Sequence, residues 1–326
     1  PCDWDKHFKL IADVNLAAYT GTQVQIIGNG TTKFTGIFDG NDHKIGNFTR
    51  SSTGDTFVGL FGYIGEGGQV KNLGLENVDV NAVDGRYIGG LAGYIVSGVI
   101  TNCYCTGYIS GNRYVGGLVG ENYGSIVSKC YAAAYVVGST YVGGFVGYDS
   151  YGDIAHCYST GDVNSVTEYA GGFIGGTNSG GVANCYARGN VIGGSYVGGL
   201  IGFNRNNSST SPRPTIDNCY AAGSVNGTGS YLGGLVGHNS YGPIRYCYFL
   251  DPADGGGPDN GYGTALSDTE MRQHESFVGF DFWGEISDGT HEIWAMPLHS
   301  GYPILSIFEG YSPYVLQGNG TSGNPY

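Results

Sequence analysis

The chain is poor in charge, and above all in positive charge. Charged residues make up 13% of its 326 positions, and 14 Lys and Arg stand against 27 Asp and Glu, for a net charge of −13. The basic residues form no run, so nothing matches a phosphate backbone and nucleic acid is not an expected partner. No apolar stretch approaches the ~18 residues a membrane-spanning helix needs, so membrane insertion is not expected either. Helical periodicity is missing throughout. So are H-E-x-x-H, G-x-S-x-G and P-loop motifs, and the seven histidines are dispersed, which removes the usual signatures of hydrolases and nucleotide enzymes. There is no strict Gly-X-Y period, which excludes collagen.

Glycine is what the chain has in excess: 62 residues, about 19%, against a usual ~7%. With 40% apolar and 13% aromatic residues, the composition is that of an ordered chain rather than a disordered one. The glycines recur in a motif. Tyr114-Val-Gly-Gly-Leu-Val-Gly120 returns with leads at Tyr141, Tyr169, Tyr196 and Tyr231, has an earlier copy at Tyr87, and a degenerate one at Phe57-Val-Gly-Leu-Phe-Gly62. From Phe57 onward the lead aromatics are 30, 27, 27, 28, 27 and 35 residues apart. A period in this range signals stacked structural repeats. Each period adds an Asn/Tyr/Gly turn, a strand of the form I-x-x-C-Y such as Ile154-Ala-His-Cys-Tyr158, and a short valine strand.

A helix would have to absorb a Gly-Gly pair at roughly 1 kcal/mol per glycine. The expected fold is therefore all-β: a right-handed parallel β-helix of about three short strands per ~27-residue coil, equivalent strands stacking ~4.8 Å apart. The glycines are expected where corners need positive φ, or where coils pack too tightly for a Cβ. Four regions follow: lead-in coils over 1–56, the repeat solenoid over 57–250, a C-terminal cap over 251–310 and an extended tail over 311–326. Ser267–Gln273 reads as a short helix. The insertion Arg205–Pro214 is expected to bulge from one corner.

Several residues could carry chemistry. Cys103, Cys130, Cys157, Cys185, Cys219 and Cys247 fall one per coil in a single column. Two readings stay open, vertical disulfides between coils or a ladder of buried thiols. Tyrosines form two columns, the motif leads (Tyr87, Tyr114, Tyr141, Tyr169, Tyr196, Tyr231) and those after the cysteines (Tyr104, Tyr131, Tyr158, Tyr186, Tyr220, Tyr248). They either stack on one another or offer flat faces to sugar rings. Asp39 and Asp42 are the best candidates for a glycosidase carboxylate pair, although Asp residues in such a turn commonly bond their own backbone. Sequons at Asn29, Asn47, Asn206, Asn207, Asn226 and Asn319 are glycosylation candidates. Asp251, Asp254 and Asp259 could hold calcium; no other cofactor or metal is expected, and no catalytic residue is assigned.

The Y-V-G-G-L-V-G core with I-x-N-C-Y resembles the GLUG repeats of secreted and surface bacterial proteins, which also stand ahead of the catalytic part of IgA-specific metallopeptidases. The flanks look alike too: Trp4–Leu16, Phe38-Asp-Gly40 and Phe57–Gly62 before the array, and Asp268–Met271, Phe277–Phe282 and Gly301–Leu305 after it. The resemblance implies an extracellular or cell-surface β-solenoid with an adhesive or architectural role, and supplies no catalytic residues. In similar proteins a run like G-x-G-T-x-x-x-P-Y precedes the lead-in strand, whereas here Gly318–Tyr326 stands at the far end. The chain is accordingly expected to be a non-enzymatic subunit of a head-to-tail homopolymeric filament, or a surface stalk. The tail, with Tyr311, Tyr314, Val315, Leu316, Pro325 and Tyr326, would add a strand to the next copy. The alternative is an adhesin that binds glycans through exposed tyrosine columns.

Overall fold

The structure is a computed structural model that describes residues 3–206, 214–283, 292–297 and 301–308. It is an all-β parallel solenoid of about eight coils. Stacking begins at the strand His7–Lys9, which pairs in parallel with Ile37–Asp39, and that strand pairs with Gln69–Lys71 in turn. From there each coil lies in register on the last: Val99–Thr101 on Gln69–Lys71, Ile126–Ser128 on Val99–Thr101, Asp153–Ala155 on Ile126–Ser128. One side forms a seven-stranded sheet from Phe61–Ile64 through Ala92–Val96, Val119–Tyr123, Val146–Ser150, Ile174–Asn178 and Ile201–Arg205 to Val236–Ser240. Thr264–Leu266 still pairs in parallel with Tyr248–Leu250, so the stack runs on to Leu266.

The core is a set of columns, one residue per coil. Phe61, Ala92, Val119, Val146, Ile174, Ile201 and Val236 align in register, all fully buried. Motif leucines and phenylalanines Leu118, Phe145, Phe173, Leu200 and Leu235 fill the coil beside them. Each such side chain taken from water contributes about 1.5–3 kcal/mol.

What bends the chain differs from expectation. Most full coils contain three residues at left-handed φ, and nearly all are not glycine. The motif tyrosine is one (Tyr114 at +57°, Tyr141 at +58°). The residue before each column cysteine is another (Lys129 at +54°, His156 at +56°, Asn184 at +52°). The third lies in the intervening turn, as at Tyr151 (+57°) and Ser179 (+57°), and glycine fills that place only at Gly67 and Gly124. The motif glycines have no need of positive φ; they are there because coils touch. A Cβ on Gly117 would lie 2.2 Å from the Gly144 oxygen of the next coil, and one on Gly120 would lie 2.5 Å from the Gly93 oxygen of the previous coil. Across the coil, the second glycine of each pair faces the residue after C-Y. Gly117 meets Ala132, Gly172 meets Ala187 and Gly199 meets Ala221, while Gly90 would collide with Cys105. The coil is pinched at this point, so Gly mostly faces a small side chain, and at the last pair Gly234 leaves room for the Phe249 ring.

A left-handed tyrosine costs roughly 1–2 kcal/mol. The cost is offset by the rings it aligns. Along the lead column Phe57, Tyr87, Tyr114, Tyr141, Tyr169, Tyr196 and Tyr231, neighbouring centroids lie 4.4–5.3 Å apart with planes within 27° of parallel. Such pairs contribute about 0.5–1.5 kcal/mol each beyond burial.

Residues from Thr269 onward form a separate compact unit. It holds short 3-10 turns at Glu270–Arg272 and His274–Ser276, where a short helix was expected, and a two-stranded antiparallel ladder of Trp294–Ala295 with Ile304–Leu305. Among its described residues Met271, Phe277, Phe280, Phe282, Trp294, Ala295, Ile304 and Leu305 are buried. No helix among the described residues is long and apolar enough to cross a membrane.

Candidate functional site

The cysteine column lies inside. Cys103, Cys130, Cys157, Cys185, Cys219 and Cys247, with Cys105 beside them, are all buried as free thiols. Because the preceding residue is left-handed, the amide of Cys103 leaves the strand ladder and donates to the Cys130 sulfur at 3.3 Å; Cys130 donates to Cys157 at 3.4 Å. Each thiol in turn reaches the carbonyl two residues back, as Cys157 does to Ala155 at 3.2 Å. Burial pushes the Cys105 thiol up to about 12 and holds Cys103, Cys157 and Cys219 well above the ordinary thiol range. Cys130 and Cys185 are held lower, against burial, by hydrogen bonds from their column neighbours, but all seven thiols are 0–3% exposed, so the column is structural and closed to reagents.

Both tyrosine columns are face-to-face stacks. Tyr104, Tyr131, Tyr158, Tyr186 and Tyr220 lie 4.8–5.0 Å apart with planes within 7° of parallel, and Tyr186, Tyr220 and Tyr248 are buried. The Arg188 guanidinium covers Tyr186 at 4.8 Å, and its Nε donates to the Tyr220 hydroxyl at 2.8 Å. Faces packed in this way are not open to sugar rings along the length of either column.

A buried polar ladder lies eight residues after the motif leads, at Asn122, Asp149, Thr177, Asn204 and Asn239, which are register partners in successive coils. Asn122 Nδ2 donates to Asp149 Oδ1 at 2.7 Å, Thr177 Oγ1 to Asp149 Oδ2 at 3.3 Å, and Asn204 Nδ2 to Asn239 Oδ1 at 2.7 Å. Gly152, Gly180 and Gly242 make room for it, since a Cβ at any of them would strike a ladder side chain. Burial raises the Asp149 carboxyl to about 7. Glu121, set in the aromatic flank between Tyr94 and Tyr148, is raised to about 7 by burial and by the Asp149 charge. Sequence reading missed this ladder, although the recurrent Asn, Asp and Thr eight residues after the lead are visible once the repeats are aligned.

The remaining candidates are held by local bonds. Asp39 Oδ1 accepts from the Asn41 amide at 2.9 Å and from Asn72 Nδ2 at 3.0 Å, and these bonds, with Lys71, hold its carboxyl below the usual range. Asp42 is a left-handed turn residue whose amide donates to the Asn72 oxygen. Asp251 caps Ala253, Asp254 accepts from the Asp268 amide, and Asp259 accepts from Gly261. Among the described residues no three His, Cys, Asp or Glu are placed to hold a metal. Asn29 and Asn226 are exposed, and Asn47 donates its amide to Asn15 at 2.8 Å. Asn206 is 4% exposed with its Nδ2 donating to the Pro214 oxygen at 2.9 Å, so a glycan has no room there in this conformation. Asn207, Asn319 and the tail residues Tyr311, Tyr314, Val315, Leu316, Pro325 and Tyr326 lie outside the described residues.

Residues 111–137, 138–164 and 193–226 match the family model of the GLUG motif. The chain carries GLUG repeats. The chain is 38% identical over 92 residues to a protein of Evansella cellulosilytica provisionally named a Gly-rich membrane protein, and 33% identical over 114 residues to halomucin of Haloquadratum walsbyi. These matches cover 27% and 33% of this chain, but 10% and 1% of the relatives, so the chain spans only a small part of either. Among solved structures, one from Bacteroides ovatus, provisionally assigned as an immunoglobulin A1 protease, aligns over 92% of this chain and 86% of its own, with TM-score 0.58 and 22% identity. A second, an IgA1 protease, aligns over 74% of this chain and 20% of its own, with TM-score 0.53 and 18% identity. At these identities both likenesses establish the fold and nothing of activity.

Proposed function

We propose that the chain is a structural module of an extracellular or cell-surface protein, a stiff stack of GLUG coils that joins end to end and does no catalysis of its own. The observation that carries this reading is the stack of parallel-paired coils that runs, among the described residues, from His7 to Leu266. Its inward residues are spent on coil-to-coil packing, and of the two glycosidase candidates Asp39 accepts from its turn amide and from Asn72, while Asp42 is itself a left-handed turn residue. At ~4.8 Å per coil, eight coils make a stack about 40 Å long. The names of the two relatives, a membrane protein and a mucin-like one, support a surface location.

End-to-end joining is supported by the first coil. His7–Lys9 has one hydrogen-bonded neighbour strand among the described residues, with Phe8 and Ile11 exposed beside it, which is the kind of edge strand addition uses. Sedimentation velocity and electron microscopy over a range of concentrations test the reading. Elongated, concentration-dependent end-to-end assemblies are expected. A strict monomer at all concentrations would remove the filament and leave a spacer within a longer chain.

A further inference from the structure

One corner of the solenoid departs from its own pattern. The turn position is filled in four successive coils by Tyr151, Ser179, Asn206 and Tyr241, aligned by amide bonds from Tyr151 to Asn178, Ser179 to Arg205 and Asn206 to Ser240. The two tyrosines stand out, 47% and 70% exposed, while Ser179 and Asn206 between them are buried. The result is a notch. Its walls are aromatic rings three coil rises apart, about 14 Å at ~4.8 Å per coil. The cavity measures about 500 Å³ and is lined by Tyr151, Asn178, Phe203, Arg205, Ser240 and Tyr241, with Asn206 at its base.

The chemistry of the lining is specific. Two exposed rings offer apolar faces to the C–H side of a pyranose, and Asn178 and Ser240 offer hydroxyl-matching donors and acceptors. Asn206 Oδ1 is buried without a hydrogen-bond partner. Arg205, on a chain of net charge −13, makes no ion pair among the described residues, and its planar fork suits a carboxylate. A cavity of this size with aromatic walls and a few convergent polar groups is typical of a ligand site.

We propose that this notch binds a short acidic saccharide, with sugar rings on Tyr151 and Tyr241 and a uronate carboxylate on Arg205. The proposal is independent of whether the coils assemble end to end. It differs from a site on the tyrosine columns, whose faces are covered.

Titration calorimetry of the full chain with trigalacturonate, against neutral maltotriose, tests it. Trigalacturonate should bind more tightly than maltotriose, and the preference should shrink as salt rises. Tyr151→Ala and Tyr241→Ala should each weaken binding on the order of fivefold, and Arg205→Gln should erase the preference for the acid. Tyr19→Ala, at an exposed tyrosine far from the notch, should change nothing; unchanged thermal unfolding of each variant shows that the fold is intact. Absence of binding to trigalacturonate, equal binding of both trimers, or binding indifferent to Tyr241→Ala and Arg205→Gln would each overturn the proposal.

Discussion

Replacing Gly117 with alanine should unseat one coil from the next. The added Cβ would lie 2.2 Å from the Gly144 oxygen and 3.0 Å from the Ala132 side chain, so the methyl group is blocked from both the neighbouring coil and the far side of its own. Relief needs a backbone shift of about an ångström, in a stack whose registers are fixed on both sides. Such overpacking costs roughly 3 kcal/mol. Two controls separate this from other effects of glycine. Gly54 sits at φ +73° with nothing within 4 Å, so Gly54→Ala carries only the left-handed penalty of about 1 kcal/mol. Gly46 has ordinary φ and its nearest neighbour is 4.0 Å away, so Gly46→Ala should be neutral, or stabilising by about 0.5 kcal/mol through the unfolded state. Urea unfolding at fixed pH, followed by tyrosine fluorescence, should rank the midpoints Gly46→Ala, Gly54→Ala, Gly117→Ala from highest to lowest. If Gly117→Ala costs no more than Gly54→Ala, the close-approach account of the motif glycines is wrong.

Stability should also depend on pH through Asp149. Its carboxyl rises on folding from the ordinary 3.8 to about 7, so the folded state holds the extra proton, and that stability is complete below about pH 4 and lost as pH rises to about 7. Asp149→Asn should flatten this part of the denaturation profile, and Glu121→Gln should do so partly; a wild-type profile that instead rises over this range would contradict the assignment. The seven buried thiols should resist a maleimide reagent in the native chain and react on unfolding in urea, read by mass spectrometry, and labelling of Cys157 in native conditions would count against a closed column. Tyr131→Ala removes a ring stacked on both Tyr104 and Tyr158, and should cost about 2–4 kcal/mol in thermal or urea unfolding, a loss that Tyr131→Phe largely avoids.

The ~27-residue rhythm by itself determined the class of fold and the columns of Cys and Tyr. It does so because a solenoid repeats one local solution, and each copy must meet the same neighbours. It also restricted the readings of the cysteines to two. Only the tertiary structure decided between them, since whether a column of thiols is buried depends on which way one strand face points. The bends were misread for a related reason: glycine is the usual bearer of positive φ, yet here tyrosine and asparagine bear it, because stacked rings and side-chain ladders offset the strain. The motif glycines answer instead to a distance between coils, which no single repeat contains. The Asn122–Asn239 ladder and the Tyr151–Tyr241 notch arise in the same way. Their members are about 27 or 35 residues apart in the chain and become neighbours only when one coil is laid on another.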